Sequence, residues 1–324
     1  MSELGLKSGD LIEILSAAEI LSTLNDEGAL DQLPFMPEMA TYCGKRFMVD
    51  RRAEKVCDTV NWTGSRRFNA TVLLAEIRCN GSGHAGCQAE CRFFWKESWL
   101  RKVAVHAPPL QPSATKGMEA LLARTNQNVK TTAEVDGRSE QRWRCQATEL
   151  PKATVRLGTF DPRPYVREYT CGNVPLGHFI KVTARAAVEE PLRKIGLVPA
   201  VPLRGQATTA TLPIDAPLNL QPGELVKVRS KEDIQATLND KGYNRGLWFD
   251  REMLAYCGGT FRVRQRVNHF IDDRNGKMID LKTDAVTLEN VICTGDRALR
   301  RWFCPRAIFP FWRESWLQRV DASA

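Results

Sequence analysis

The segment WKESWLRKV, Trp95 to Val103, recurs almost unchanged as WRESWLQRV, Trp312 to Val320. Outward from it, TVLLAEIRCNG from Thr71 pairs with AVTLENVICTG from Ala285, and EMATYCG from Glu38 pairs with EMLAYCG from Glu252. Further upstream STLNDEG matches ATLNDKG, and LKSGDLIEI from Leu6 matches LQPGELVKV from Leu220, all in one register displaced by 214 positions. A three-residue insertion in the second copy precedes the Trp segment. The chain reads as an internal duplication, copy one spanning Leu6–Val103 and copy two Leu220–Val320. A repeat of about a hundred residues reads as one structural unit each time.

Within each copy a Gly followed by an acidic residue and alternating apolar positions reads as a turn feeding a short strand. Ser16-Ala-Ala-Glu19 matches a capping box, and Ser230-Lys-Glu-Asp233 approximates one. A second short helix is expected to end at Cys43-Gly44 and Cys257-Gly258, where Gly takes the left-handed conformation before the strands FMV and FRV. VLLAEIRC and VTLENVIC read as further strands, and Trp95, Trp99, Trp312 and Trp316 as core aromatics. The expected fold is mainly β with short helices (α+β): two small SH3-like or KOW-like barrels in tandem, flanking a central mixed segment. The expected domains are 1–103, 104–219 and 220–324. The central segment lies between two Pro-rich linkers, APPLQPSA and VPLRGQATTATLPIDAPLNL, and its own pattern assigns it no fold.

The chain has 324 residues, 43% hydrophobic and 26% charged, the balance of a globular protein able to bury a core without cross-links. No run is long and apolar enough to span a bilayer, so no membrane partner is expected. The first residues carry no secretory pattern, and the expected compartment is a reducing cytoplasm. There, ten cysteines are expected to be metal ligands, reactive thiols or small buried hydrophobes rather than disulfides. A net charge of +8 favours encounter with an acidic ligand or nucleic acid without specifying either.

The motifs LPFMPEM, YCGKRF, CQAEC and FWKESWL in one half, with FCPRAIFPFWRESWL in the other, resemble a family of uncharacterised, cysteine-rich bacterial proteins with two SH3-like repeats. The resemblance covers most of the chain and implies no particular activity.

Copy one carries Cys57, then Cys79, Cys87 and Cys91 as C-x7-C-x3-C, with His84 between. Soft ligands in this number suit tetrahedral zinc, and the loop NGSGHAG has the small residues a chain needs to wrap an ion. The alternative is an iron–sulfur cluster, to which Cys145 or Cys171 could add a thiolate, although the spacing matches neither common ferredoxin pattern. Cys43 and Cys257 sit at helix ends where packing explains them. In copy two Ile271 stands at the place of Cys57 and Ile308 at that of Cys91, while Cys293 and Cys304 are kept. His269 lies two residues before Ile271, on the same strand face. Cys293, Cys304 and His269 would then form a Cys2His set with an open fourth position, the form of a catalytic zinc site. Asp272 or Asp273 would close that site or act as a base in metal-assisted hydrolysis.

Arg262, Arg264 and Arg266 alternate along one strand, a stripe that could grip the phosphates of a nucleic acid. Copy one has Met48, Asp50 and Arg52 there, so the stripe is not a shared feature. Gly81, Gly83 and Gly86 formally spell a dinucleotide fingerprint, but no βαβ unit follows and copy two lacks the loop. No P-loop, nucleophile elbow or H-E-x-x-H motif is present. The expected function is a metal-binding protein, zinc first, acting as a binding or assembly module for a protein partner or acidic ligand. The rivals are a metalloenzyme using copy two and an iron–sulfur redox protein using copy one.

Overall fold

Alternating and continuous apolar runs in each copy form short antiparallel strands. In the computed structural model, which describes residues 4–104, 116–158, 161–197, 203–208, 217–298 and 301–320, these strands fall in two compact units. The first unit comprises residues 4–179 together with Phe270–Ile279 and 301–306. The second comprises 180–269, 280–298 and 307–320.

In the first unit, β1 (Leu11–Ile14), β2 (Arg46–Arg52), β3 (Thr71–Leu74), β4 (Trp95–Lys96) and β5 (Leu100–Lys102) form a sheet ordered β4-β3-β2-β1-β5. Ile12, Val49, Val72 and Trp95 are buried in its core. An irregularity in register between Val49 and Arg51 precedes Arg52, whose guanidinium donates to Glu97 at 2.6 Å and to the Leu6 carbonyl at 2.6 Å. Glu97 opens the 3-10 turn Glu97–Trp99 between β4 and β5, and its carboxylate also accepts the N–H groups of Gly5 and Leu6. The brace thus ties the entering chain, β2 and the turn to one buried carboxylate. Phe35 meets Trp95 and Trp99 edge-on, and the Trp99 indole donates to Thr23 at 3.1 Å. Ser16 and Glu19 cap the helix Ala17–Thr23 reciprocally, as their spacing predicts. Pro37–Tyr42 is a 3-10 helix, after which Gly44 takes a φ of +75°.

Residues 116–179 belong to this first unit rather than forming a domain of their own. They supply the helix Met118–Gln127, the hairpin Lys130–Val135/Arg138–Trp143 and the helices Leu150–Ala153 and Arg163–Thr170. Leu121, Val129, Trp143 and Leu150 enter the same hydrophobic core as the sheet. Two buried amides fix the attachment by imitating backbone. Gln146 accepts from Phe94 N–H at 2.8 Å and donates to the carbonyls of Phe94 and Pro34. Asn173 accepts from Arg52 N–H at 2.7 Å and donates to its carbonyl at 2.9 Å. Satisfying buried backbone groups in this way removes the cost of leaving them unpaired. The linker APPLQPSA lies outside the described residues.

In the second unit, β6 (Leu225–Val228), β7 (Thr260–Arg266), β8 (Ala285–Leu288), β9 (Trp312–Arg313) and β10 (Leu317–Arg319) are ordered β9-β8-β7-β6-β10. The register shifts between Val263 and Gln265, and Arg266 then reaches Glu314 at 3.1 Å and the Leu220 carbonyl at 2.9 Å. Glu314 accepts the N–H groups of Asn219 and Leu220. Phe249 meets Trp312 and Trp316 edge-on, the Trp316 indole donates to Thr237, and Gly258 has a φ of +77°.

The molecule is a mixed α/β protein with more strand than helix, in several small antiparallel sheets. The expectation of closed barrels is corrected: in each five-stranded sheet the strands joined by the 3-10 turn stand at opposite edges, with no pairing between them among the described residues. Among those residues no helix is long and apolar enough to cross a membrane.

Candidate thiol centre

After β3 the chain passes Arg78, bridged to Arg92, and Cys79 N–H donates to the Cys91 carbonyl at 2.8 Å. The intervening loop folds back tightly. Gly81 has a φ of +72°, and a Cβ there would sit 2.2 Å from the Cys87 carbonyl oxygen, so only glycine fits. A Cβ on Gly83 would press on the Glu38 carboxylate at 3.1 Å, and Gly83 N–H donates to that carboxylate at 2.9 Å. Glu38 therefore braces the loop from inside, as Glu252 does in the second unit by accepting from Arg297 and Ala298 N–H at 2.8 Å.

Three of the four copy-one cysteine candidates cluster with a fourth from the central segment. Cys79, Cys87, Cys91 and Cys145 lie near enough for their charges to act on one another. Burial pushes all four thiols upward: Cys91 to about 11, Cys145 to about 12, and Cys79 and Cys87 in the same direction. Against burial, backbone N–H groups point at three of the sulfurs. Gly81 N–H donates to Cys79 Sγ at 3.3 Å and Ile271 N–H to Cys87 Sγ at 3.4 Å. Ala89 N–H also serves Cys87, and those of Thr148 and Ala147 serve Cys145. Donors to sulfur favour the thiolate over the thiol, the form that binds metal. The Ile271 donor comes from the segment Phe270–Ile279, whose Gly276 carbonyl accepts from Trp143 N–H at 2.7 Å. Copy two thus supplies part of the wall around a copy-one loop.

Cys57 is elsewhere. It lies against Cys304, whose Sγ accepts from Cys57 N–H at 3.3 Å, and both residues are buried. Arg306, buried, donates to the Cys57 carbonyl at 3.1 Å and to Thr59 Oγ1 at 2.8 Å. Lys55, fully buried, donates to the Trp302 carbonyl at 2.6 Å and sits over the Tyr165 ring.

His84 is buried and meets Glu38 Oε1 through Nδ1 at 2.9 Å, while Cys79 Sγ lies 3.6 Å from the same oxygen. Burial would raise Glu38, but the His84 contact outweighs it and holds the carboxyl below its usual range. His84 Nε2 and Glu38 Oε2 are buried with no hydrogen-bond partner. Glu38, Cys79 and His84 form the one set of three potential ligands, among the described residues, whose ligand atoms all lie within 4.8 Å of one another.

Of the Cys2His set expected of copy two, His269 and Cys293 belong to the second unit and Cys304 to the first. Asp272, a candidate base, is bound by Arg274 at 2.7 Å, which outweighs burial and keeps its carboxyl low. Asp273 receives the Thr59 hydroxyl and faces Arg306 at 4.0 Å. In the arginine stripe, Arg262 donates to the Gly223 carbonyl, Arg264 covers the Phe309 ring at 4.8 Å, and Arg266 is held by Glu314 and Asp284. Arg266 is thus a scaffold brace, equivalent to Arg52.

Sequence reasoning missed Glu38 and Lys55 and gave Cys145 only a secondary place. Glu38 carried a usable signal, since the acid heads the E-M-x-x-Y-C-G motif of both copies. No protein-family model, curated protein or solved structure matches the chain.

Proposed function

We propose that the first unit is a metal-binding module whose centre is an iron–sulfur cluster held by Cys79, Cys87, Cys91 and Cys145. The observation that carries this reading is the convergence of four cysteines in one buried region with N–H donors aimed at sulfur. A single tetrahedral zinc with bonds of about 2.3 Å would draw its thiolates to within about 4 Å of one another. No three of these four sulfurs lie within 4.8 Å of one another, which favours the wider cage of a polynuclear cluster. When bound, the cluster would supply one-electron exchange or a structural cross-link. The residues themselves hold the cage: Gly81 allows the return of the chain, Glu38 fixes the loop, and the Phe270–Ile279 segment covers Cys87. The strand order, with a 3-10 turn between the two edge strands, supports reading each five-stranded sheet as an SH3-like module that would present the centre to a protein partner or acidic ligand.

Protein purified without oxygen should be coloured and contain iron and acid-labile sulfide, all lost in Cys145→Ser and Cys91→Ser. A metal-free protein would overturn the reading.

A second reading has its own observation: the orphaned Glu38 Oε2 and His84 Nε2 beside Cys79 suit a zinc ion. Because Cys79 belongs to both sets, the two exclude each other. Colourless protein with zinc that survives Cys145→Ser but is lost in His84→Ala would select this second site and sink the cluster.

A further inference from the structure

The contact between Cys57 and Cys304 joins positions that are not equivalent in the two copies, and Arg306 carries its charge to both of them as well as to Cys91. Copy two has Ile271 where copy one has Cys57, and copy one has Cys87 where copy two has Cys304. We propose that Cys57 and Cys304 form a dithiol–disulfide couple, a second thiol site that exchanges with small-molecule disulfides and thiols and fastens the 301–306 segment to the strand Val56–Cys57.

Three observations carry this. The thiols are adjacent: Cys304 Sγ lies 3.3 Å from the Cys57 amide nitrogen, and the two side chains hydrogen-bond to each other. Two buried basic side chains flank them, Arg306 at 3.9 Å from Cys57 Sγ and Lys55, which burial holds below its ordinary range against the pull of both sulfurs. Each has further partners that would remain after the thiols oxidise. Arg306 has the Cys57 carbonyl, Thr59 and Asp273, and Lys55 has the Trp302 carbonyl and the Tyr165 ring. The hydrogen bond from Cys304 and burial push the Cys57 thiol well above its ordinary range, so the pair rests as two thiols, and its neighbours stay satisfied around a neutral disulfide. Finally, the backbone presents Cys304 deliberately: Phe303 adopts a φ of +61°, rare for a bulky residue, and its buried ring stacks on Phe179 at 5.4 Å.

The exchange balances with a disulfide RSSR. One of the pair, as thiolate, attacks a sulfur of RSSR and expels RS⁻, which takes up the proton released. The other thiol, on losing its proton, attacks the mixed disulfide and expels the second RS⁻, which that proton converts to RSH. Two electrons and two protons pass from Cys57 and Cys304 to RSSR, giving one protein disulfide and two RSH.

The test uses the full chain equilibrated without oxygen in mixtures of reduced and oxidised dithiothreitol, then acid-quenched, alkylated and mapped by mass spectrometry. Toward oxidising mixtures two alkylated thiols should disappear together and a single cross-linked pair, Cys57 to Cys304, should appear. Cys57→Ser and Cys304→Ser should each abolish the cross-link and leave bound metal unchanged, which separates this site from the metal centre. The wild-type map needs no variant to fold. A cross-link absent at every mixture, a cross-link from Cys57 to Cys79, Cys87, Cys91 or Cys145, or metal loss in Cys57→Ser would each overturn the proposal.

Discussion

The two five-stranded sheets share order, register shift and buried brace, yet among the described residues the clustered thiols lie in the first unit. Where copy one has Cys91, copy two has Ile308, and where Gly83 and His84 fold over Glu38, Arg297 and Ala298 donate to Glu252. The scaffold of a repeat and its chemistry therefore vary separately: backbone-directed carboxylates keep the sheets alike, while a few substitutions beside them decide whether a cage of sulfur forms.

The sharpest break of this comparison is at matched cysteines. Cys79→Ser should remove bound metal completely, whereas Cys293→Ser, at the equivalent position, should leave it in place, as read by elemental analysis of the two purified variants. Equal loss in both would mean that the units do not differ as described.

The braces come next. Glu97→Gln removes the charge shared by Arg52 and the N–H groups of Gly5 and Leu6, leaving Arg52 only Glu54, at 3.1 Å, as a charged partner, and breaking a buried ion pair from one side costs roughly 3–5 kcal/mol. Glu314→Gln should cost less, about 2–3 kcal/mol, because Arg266 is more exposed than Arg52, 23% against 10%. Urea unfolding followed by tryptophan fluorescence should rank the two, and a larger loss in Glu314→Gln would reverse the comparison.

Glycines give a smaller, cleaner contrast. Gly81→Ala must move the Cys87 backbone as well as hold a left-handed alanine, whereas Gly258 of the second unit, at φ +77° with nothing within 4 Å of a Cβ, bears only the conformational cost of about 1 kcal/mol. Only Gly81→Ala should weaken metal retention, measured by release to a chelator.

The first unit also has a pH dependence of its own. Burial pushes the Glu168 carboxyl up to about 8, against the opposing hydrogen bond from Asn173 and the charge of Lys55. The folded state thus holds a proton that the unfolded chain has released above pH about 4.5. The stabilisation is complete below that pH and declines as the pH rises toward 8. Glu168→Gln should flatten this slope, so that wild type loses roughly 1–3 kcal/mol relative to the variant between pH 5 and 8. Parallel stability–pH curves would count against the assignment.

The strand pattern, the Ser16 cap, the glycines after the 3-10 helices and the aromatic core were all legible, because each rests on residues close in sequence. The thiol centre was half legible. C-x7-C-x3-C marked three of its cysteines, but Cys57 seemed the natural fourth only because it belongs to the same copy. Its displacement by Cys145 depends on Gln146 and Trp143 docking residues 116–179 onto the sheet, and no local spacing encodes that docking. The same holds for Phe270–Ile279 and residues 301–306, whose place in the first unit follows from Trp143–Gly276 and Lys55–Trp302 hydrogen bonds across great sequence distance.

That last arrangement has a consequence for how the protein is made. Chains usually fold from the N-terminus as they leave the ribosome, but here the first unit needs residues up to Arg306. Its wall around Cys87 is made only after β6 and β7 of the second unit, and the partner of Cys57 only after β8 as well. The nascent first unit therefore remains open on that side until Phe270–Ile279 has been made, long after Cys79, Cys87 and Cys91.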